Sequence, residues 1–207
     1  MPEPPVPKPP VSKPSVSDRR AELLNLAAGL FAERGYKNTT VRDIADAAGI
    51  LSGSLYHHFD SKETMADEIL RTFLDELFRD YRAIVERESD PRRAFEQLVD
   101  ASFQAIDRSH AAIALYQNEA KQLRQSPRFA YLDDTDREFR EIWLGTLEKG
   151  IASGVFRADL DATMAYRFVR DTVWVAVRWY VPGGKLTAEA VSAQYLSMIL
   201  EGFQSKE

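Results

Sequence analysis

Ten prolines limit what this chain can fold into, because a residue without a backbone N–H is excluded from helix interiors and central strands. Seven of them lie in residues 1–17, MPEPPVPKPPVSKPSVS. That segment reads as a disordered or polyproline arm. Its PxxP spacings suit an SH3-like groove; a passive tail is the simpler reading. The other three, Pro91, Pro127 and Pro182, fall where helices are expected to begin or end. Between them apolar residues recur at helical spacing. Leu23, Leu26, Ala27, Leu30 and Phe31 form one such run, ended by Gly35. Thr40 is placed to cap the next, where Val41, Ile44, Ala45 and Ala48 follow at i, i+3, i+4 and i+7, and Gly49 stops it. Ser52 is placed to cap a short third helix turned inward by Leu55 and Phe59. Ser61 caps a fourth that runs to about Arg87. Asp90-Pro91 opens a fifth that reaches about Ser109. Further helices fit 110–123, 128–152, 161–180 and 187–204. The expectation is an all-α fold of about nine helices with no strand.

The chain has 207 residues, 44% of them hydrophobic, enough for one large domain or two small ones. Cysteine is absent, so no disulfide framework is possible, which suits a reducing cytoplasm. No run approaches 18 apolar residues, and the N-terminus has no apolar core of a secretory signal, so no membrane partner is expected. The net charge of −5 argues against nucleic acid at first. Residues 1–64, however, hold eight basic and eight acidic side chains, so all the excess lies behind them. A neutral head on an acidic body is compatible with DNA binding if the head's cations face one way.

Residues 40–62 supply such a head. Two short helices joined by a glycine turn and packed on a longer first helix make a helix-turn-helix, whose second helix enters the major groove by its N-terminal end. The stretch GILSGSLYHHF, residues 49–59, has the character of a recognition helix: small at its tip, polar outside, anchored from behind by Leu55 and Phe59. Gly53 has no side chain to hold the backbone away from DNA. Ser52 and Ser54 can donate to phosphates or base edges, and Tyr56 and His57 can reach phosphates from the flank. Lys62 adds a cation at the start of the fourth helix, Arg42 adds one at the second, and the Thr40 hydroxyl is a neutral donor beside it. His57 and His58 point about 100° apart on a helix, so a shared metal ion is not expected.

The run FAERGYKNTTVRDIADAAGILSGSLYHHFDSKETMADEIL resembles the DNA-binding head of the TetR family of one-component transcriptional regulators. The resemblance is close over about residues 20–70, and the later element lengths fit. It implies DNA contacts at Thr40, Arg42, Ser52, Gly53, Ser54, Tyr56, His57, His58 and Lys62, a homodimer, and a palindromic operator. Many members carry Lys or Arg near the recognition-helix tip, where this chain has Ser52-Gly53-Ser54. Bidentate guanine readout by a cation is therefore absent there, and specificity leans on backbone contact, His57 and DNA shape. The expected division is an arm at 1–17, a helix-turn-helix domain at 18–64 and a ligand-binding and dimerisation domain at 65–207. Lys8, Lys13, Arg19 and Arg20 of the arm region are candidates for minor-groove contact.

In the body, DATMAYRFVRDTVWVAVRWY, residues 161–180, is the most informative stretch. Met164, Phe168, Val175 and Trp179 lie on one face; Thr163, Tyr166, Arg167, Arg170, Trp174, Val177 and Arg178 lie on the other. A helix apolar nearly all round is expected to be buried on both sides. A buried arginine needs a partner or an anion. Arg170 lies one turn before Trp174, so the pair suits a ligand with an apolar body and an anionic end. Pairing of Arg170 with an acid of a neighbouring helix is the competing reading; Arg167 and Arg178 are alternatively partners of Asp171 or solvated. Phe103, Tyr116, Gln117, Phe139 and Trp143 are weaker pocket candidates, and Gln117 and Glu119 are polar in an apolar neighbourhood. Val191, Tyr195, Met198 and Ile199 form a stripe on the last helix that, with helix 161–180, can build a four-helix dimer interface.

YQNEAKQL, SPRFAYL and YRFVRDTVWVAVRWYVPGG are similar to one branch of the TetR family, the actinobacterial repressors of late cholesterol catabolism. That similarity implies release by a CoA thioester of a ring-degradation intermediate; the residues themselves say only apolar plus anionic. A sensor of ordinary fatty acyl-CoA or of a small aromatic compound is the alternative. An enzyme is not expected: G-x-S-x-G, P-loop and GxGxxG motifs are missing, and Asp107-Arg-Ser-His110 stands alone where a di-iron bundle needs paired Glu-x-x-His. No catalytic residue, metal or cofactor is assigned. A helical scaffold without DNA function is the remaining rival.

Overall fold

The computed structural model describes residues 16–201. Among these the chain is all-helical: α1 Val16–Arg34, α2 Val41–Ala47, α3 Ser52–Leu55, α4 Lys62–Arg87, α5 Pro91–Arg108, α6 His110–Leu123, α7 Tyr131–Ala152, α8 Ala162–Trp174 and α9 Ala188–Glu201. None is long and apolar enough to cross a membrane. Residues 1–15 of the expected arm lie outside the described residues. Val16 and Ser17 do not belong to it, because α1 already includes them.

Most helix starts follow the cap residues. The Ser61 hydroxyl accepts from the Thr64 N–H at the start of α4. Asp90 accepts from Arg92 and Arg93 ahead of Pro91. Asp161 accepts from Met164 at α8. Each such cap satisfies amides with no intrahelical partner. Ser52 departs from expectation. It is the first helical residue of α3, and the cap position falls to Leu51, whose side chain makes no cap hydrogen bond. The α2–α3 turn closes as a Schellman motif. Ile50 N–H reaches Ala45 O at 3.0 Å and Gly49 N–H reaches Asp46 O at 3.1 Å, with Gly49 at φ +65°.

The helix expected over 161–180 is two elements. α8 ends at Trp174 and a 3-10 turn covers Val175–Arg178. Trp174, Val177 and Tyr180 are buried at steps of three, the period at which 3-10 side chains eclipse, so the apolar pattern continues through the change. The expected start at 128 likewise becomes a 3-10 turn, Pro127–Phe129, before α7.

α5 is the hub of the body, packed against α4, α7, α8 and α9. Tyr81 of α4 is buried against Phe139, Trp143 and Phe78, with its hydroxyl hydrogen-bonded to Ser102 of α5. α1 packs on α4 and α6, so the first three helices sit on the body through those two. α4 runs unbroken from the recognition unit into the body core.

Candidate DNA-binding face and ligand cavity

The helix-turn-helix is pinned from behind. Leu55 and Phe59 are buried, and the Arg20 guanidinium lies 4.1 Å from the Phe59 ring centre. Arg20 also holds Glu68 of α4 at 3.0 Å and the His58 carbonyl. Arg19 bonds Glu22 and, at 3.1 Å, the Ala48 carbonyl. The two arginines expected in a DNA-seeking arm are thus internal ties of α1. Lys8 and Lys13 lie outside the described residues.

Facing outward are Arg42, Gly53, Ser54, Tyr56 and His57, with Ser52 and His58 half-buried. Arg42 pairs with Asp46 at 3.8 Å across exposed side chains, a weak tie that leaves it able to reach a phosphate. Thr40 and Asp43 form a capping box. The Thr40 hydroxyl donates to Asp43 Oδ2 at 2.6 Å and accepts from the Asp43 N–H at 3.1 Å. These bonds from Thr40 hold the Asp43 carboxyl below its usual pKa. Lys62 is more occupied than its position predicts. Its ammonium donates to Tyr36 O at 2.7 Å and Thr39 O at 2.8 Å, and sits 4.3 Å from the Tyr36 ring centre. Partial burial lowers its pKa.

The body holds a cavity of about 460 Å³. α4 contributes Phe73; α6 Tyr116, Gln117, Ala120 and Lys121, with Arg124 just past its end; α7 Asp136, Phe139 and Arg140; α8 Tyr166, Arg170 and Trp174. Trp174 meets Phe73 and Phe139 edge-on, at 6.5 and 5.8 Å between ring centres. Four cations against one carboxylate give the cavity a positive rim. The Tyr116 hydroxyl donates to Asp136, whose other oxygen accepts from Arg124. Burial first, and Asp136 second, push the Tyr116 phenol up. Gln117, Arg170 and Trp174 also line a second cavity of about 240 Å³, with Val175 and Arg178, so they partition the two chambers.

The helix-turn-helix and its body match known families in two blocks. The family of bacterial regulatory proteins, tetR family, matches residues 23–69, and the tetracyclin repressor-like C-terminal domain matches residues 88–203. This chain belongs to the TetR family. It is a DNA-binding transcription regulator rather than an enzyme. The HTH-type transcriptional repressor KstR2 of Rhodococcus jostii (strain RHA1) is 61% identical over 189 residues, 91% of this chain and 93% of that protein. The structure of ketosteroid transcriptional regulator KstR2 of Mycobacterium tuberculosis matches with TM-score 0.87 and 55% identity over 93% of this chain and 98% of that one. AibR, solved in complex with isovaleryl coenzyme A and operator DNA, shares the fold at TM-score 0.75 and 21% identity, over 87% and 97%.

Within this TetR body, Arg170, Trp174, Tyr166, Tyr116 and Gln117 come together on the larger cavity, and Arg178 joins the smaller. Phe103 and Trp143 do not reach either. Phe103 is buried against Tyr195, and Trp143 between Tyr81 and Phe95. Arg167 is exposed and lines neither chamber. Arg170 is not buried: its side chain is 47% exposed and its Nε donates to Asp171, the next residue, at 2.7 Å rather than to a neighbouring helix. Nor is the segment 161–180 covered on both sides. Met164 and Phe168 of α8, with Val175 and Trp179 of the turn after it, are exposed apolar residues, as are Met198 and Ile199 of α9. The sequence reading missed Phe73, Lys121, Arg124, Asp136 and Arg140. Gln117, Lys121 and Arg124 recur at i, i+4 and i+7 beside Tyr116 and Ala120, a polar stripe that reads in the sequence as a solvated face; Gln117 and Lys121 are exposed even as they line the cavity.

Proposed function

We propose that this chain is a ligand-responsive repressor. It binds inverted-repeat operator DNA as a homodimer in the cytoplasm and is released by a CoA thioester of a cholesterol-ring degradation intermediate. The carrying observation is the cavity: aromatic walls from Phe73, Phe139 and Trp174 beside Arg170, Arg140, Arg124 and Lys121 suit a bulky apolar body with an anionic end. Its volume lies within the usual range for small-molecule sites. The relatives named KstR2 support the steroid class, and AibR, which shares the fold, was solved with isovaleryl coenzyme A bound.

The head, residues 18–64, carries the operator contacts; the body, residues 65–207, carries cavity and dimer face. Two recognition helices about one DNA turn apart then read a palindrome. α4 joins the parts. Phe73 lines the cavity eleven residues beyond Lys62, about 16 Å along the axis at 1.5 Å per residue. An effector that binds the wrongly spaced dimer better shifts the population; going from 1% to 99% released takes about 5.5 kcal/mol of differential binding.

Fluorescence anisotropy on DNA from the gene's own upstream region, near physiological salt, tests this. Tight binding lost with steroid-derived CoA thioesters, and retained with straight-chain ones, is expected. Binding that no ester disturbs sinks the effector assignment; loss with straight-chain esters makes the protein a fatty acyl-CoA sensor.

A further inference from the structure

Leu51 is the most exposed large apolar side chain among the described residues, at 80%. It occupies the cap position of α3 with extended backbone, φ −72° and ψ 143°, and makes no cap hydrogen bond. Serine, threonine, asparagine or aspartate would stabilise the helix there. Neither helix formation nor packing explains leucine at this place. Gly53, two residues on, raises the same question. A Cβ added there meets nothing within 4 Å, so the protein's own packing does not require glycine. Both residues sit on the outward edge that also presents Ser54 and Tyr56.

A partner that approaches the Gly53 backbone closely and offers Leu51 something apolar explains both. On the base edges of the major groove, the apolar feature is the thymine 5-methyl group. We propose that Leu51 reads a thymine in each operator half-site through that methyl group. Ser52 and Ser54 are left to the polar edges, and Gly53 lets the backbone close on the DNA. This assignment rests on the operator-binding reading above. It also supplies sequence readout at a tip that has no lysine or arginine.

The test starts from an operator that the full-length wild-type protein selects out of a randomised duplex library. Each thymine of a half-site is replaced singly by deoxyuridine, which removes only the methyl, and affinity is read by anisotropy at fixed salt. One thymine per half-site is expected at which the replacement weakens the wild type about fourfold, the factor of one buried methyl group. Leu51→Ser and Leu51→Ala are expected to bind both duplexes equally, and Leu51→Ser, with a cap restored, to melt no lower than wild type. Deoxyuridine without effect at every thymine, or with the same effect on wild type and variants, overturns the proposal. A library that yields no tight wild-type complex overturns operator binding itself, a different and separately visible failure.

Discussion

Glu119 on α6 accepts a hydrogen bond from the backbone N–H of Tyr36, 3.0 Å away and 83 residues earlier in the chain. The Tyr36 carbonyl in turn accepts from Lys62, at the first turn of α4. The helix that lines the cavity with Tyr116, Gln117 and Lys121 therefore also grips the loop leading into the recognition unit. Glu119→Ala is expected to leave ester affinity within about twofold while cutting the factor by which the ester weakens operator binding about tenfold, within the usual size of coupling energies. Calorimetry for the ester and anisotropy for the operator separate the two; an unchanged release factor removes Glu119 from the coupling.

Arg170 stands on the partition of the two chambers. Its replacement by alanine is expected to weaken binding of the steroid-derived ester about 10- to 100-fold, the range of a charge-assisted hydrogen bond. Operator affinity without ester stays the same, because Arg170 is on the body. Equal ester affinity in wild type and variant, measured by calorimetry, removes it from the site.

Arg42 and Lys62 are both operator candidates, and their surroundings predict opposite signatures. Arg42→Ala is expected to reduce the slope of log affinity against log salt by about 1 per protomer with no change in Tm. Lys62→Ala breaks two bonds to loop carbonyls and the contact with the Tyr36 ring, and is expected to lower Tm by about 2–8 °C. Thermal melts beside salt titrations decide it.

Asp43 is held ionised by the Thr40 hydroxyl and N–H. A carboxyl with a depressed folded pKa contributes stability above the ordinary carboxylate value, about 3.9, and loses it as pH falls through the folded pKa. Thr40→Ala is expected to lower Tm by about 2–4 °C near neutral pH. The gap to wild type closes as the pH is taken below about 4, and a gap independent of pH contradicts the capping-box account.

The exposed face of Met164, Phe168, Val175 and Trp179 is expected to bury itself against a second copy. Phe168→Glu with Trp179→Glu should sediment as a monomer and bind the palindrome at least about 100-fold more weakly, having lost linked half-site binding. A variant that stays dimeric moves the interface elsewhere.

Much of this was legible before the structure. Thr40, Ser61 and Asp90 mark helix starts because unsatisfied amides leave few choices of residue. Tyr166, Arg170 and Trp174 share a cavity because helical spacing puts them on one face. Phe103 and Trp143 show the limit: an aromatic at core spacing looks the same whether it borders a cavity or fills a gap. Lys121, Arg124 and Arg140 were hidden for the converse reason, since a cation on an amphipathic helix reads as solvated, and only the packing of α6 against α7 and α8 sets it beside a cavity. Glu119 seemed to belong to a pocket, and only the folded chain shows the distant amide it serves. The break after Trp174 left no mark, because a 3-10 turn keeps an apolar repeat going.

Val175 belongs to two things at once, the wall of the smaller chamber and the bare apolar face that begins on α8 and runs into the turn after it. Whatever covers that face also finishes the chamber. If the cover is a second copy, occupancy and association favour one another by mass action. The response to an effector is then not a property of one polypeptide. A cell that makes more of the protein changes the dose at which its genes switch, with no change in any residue.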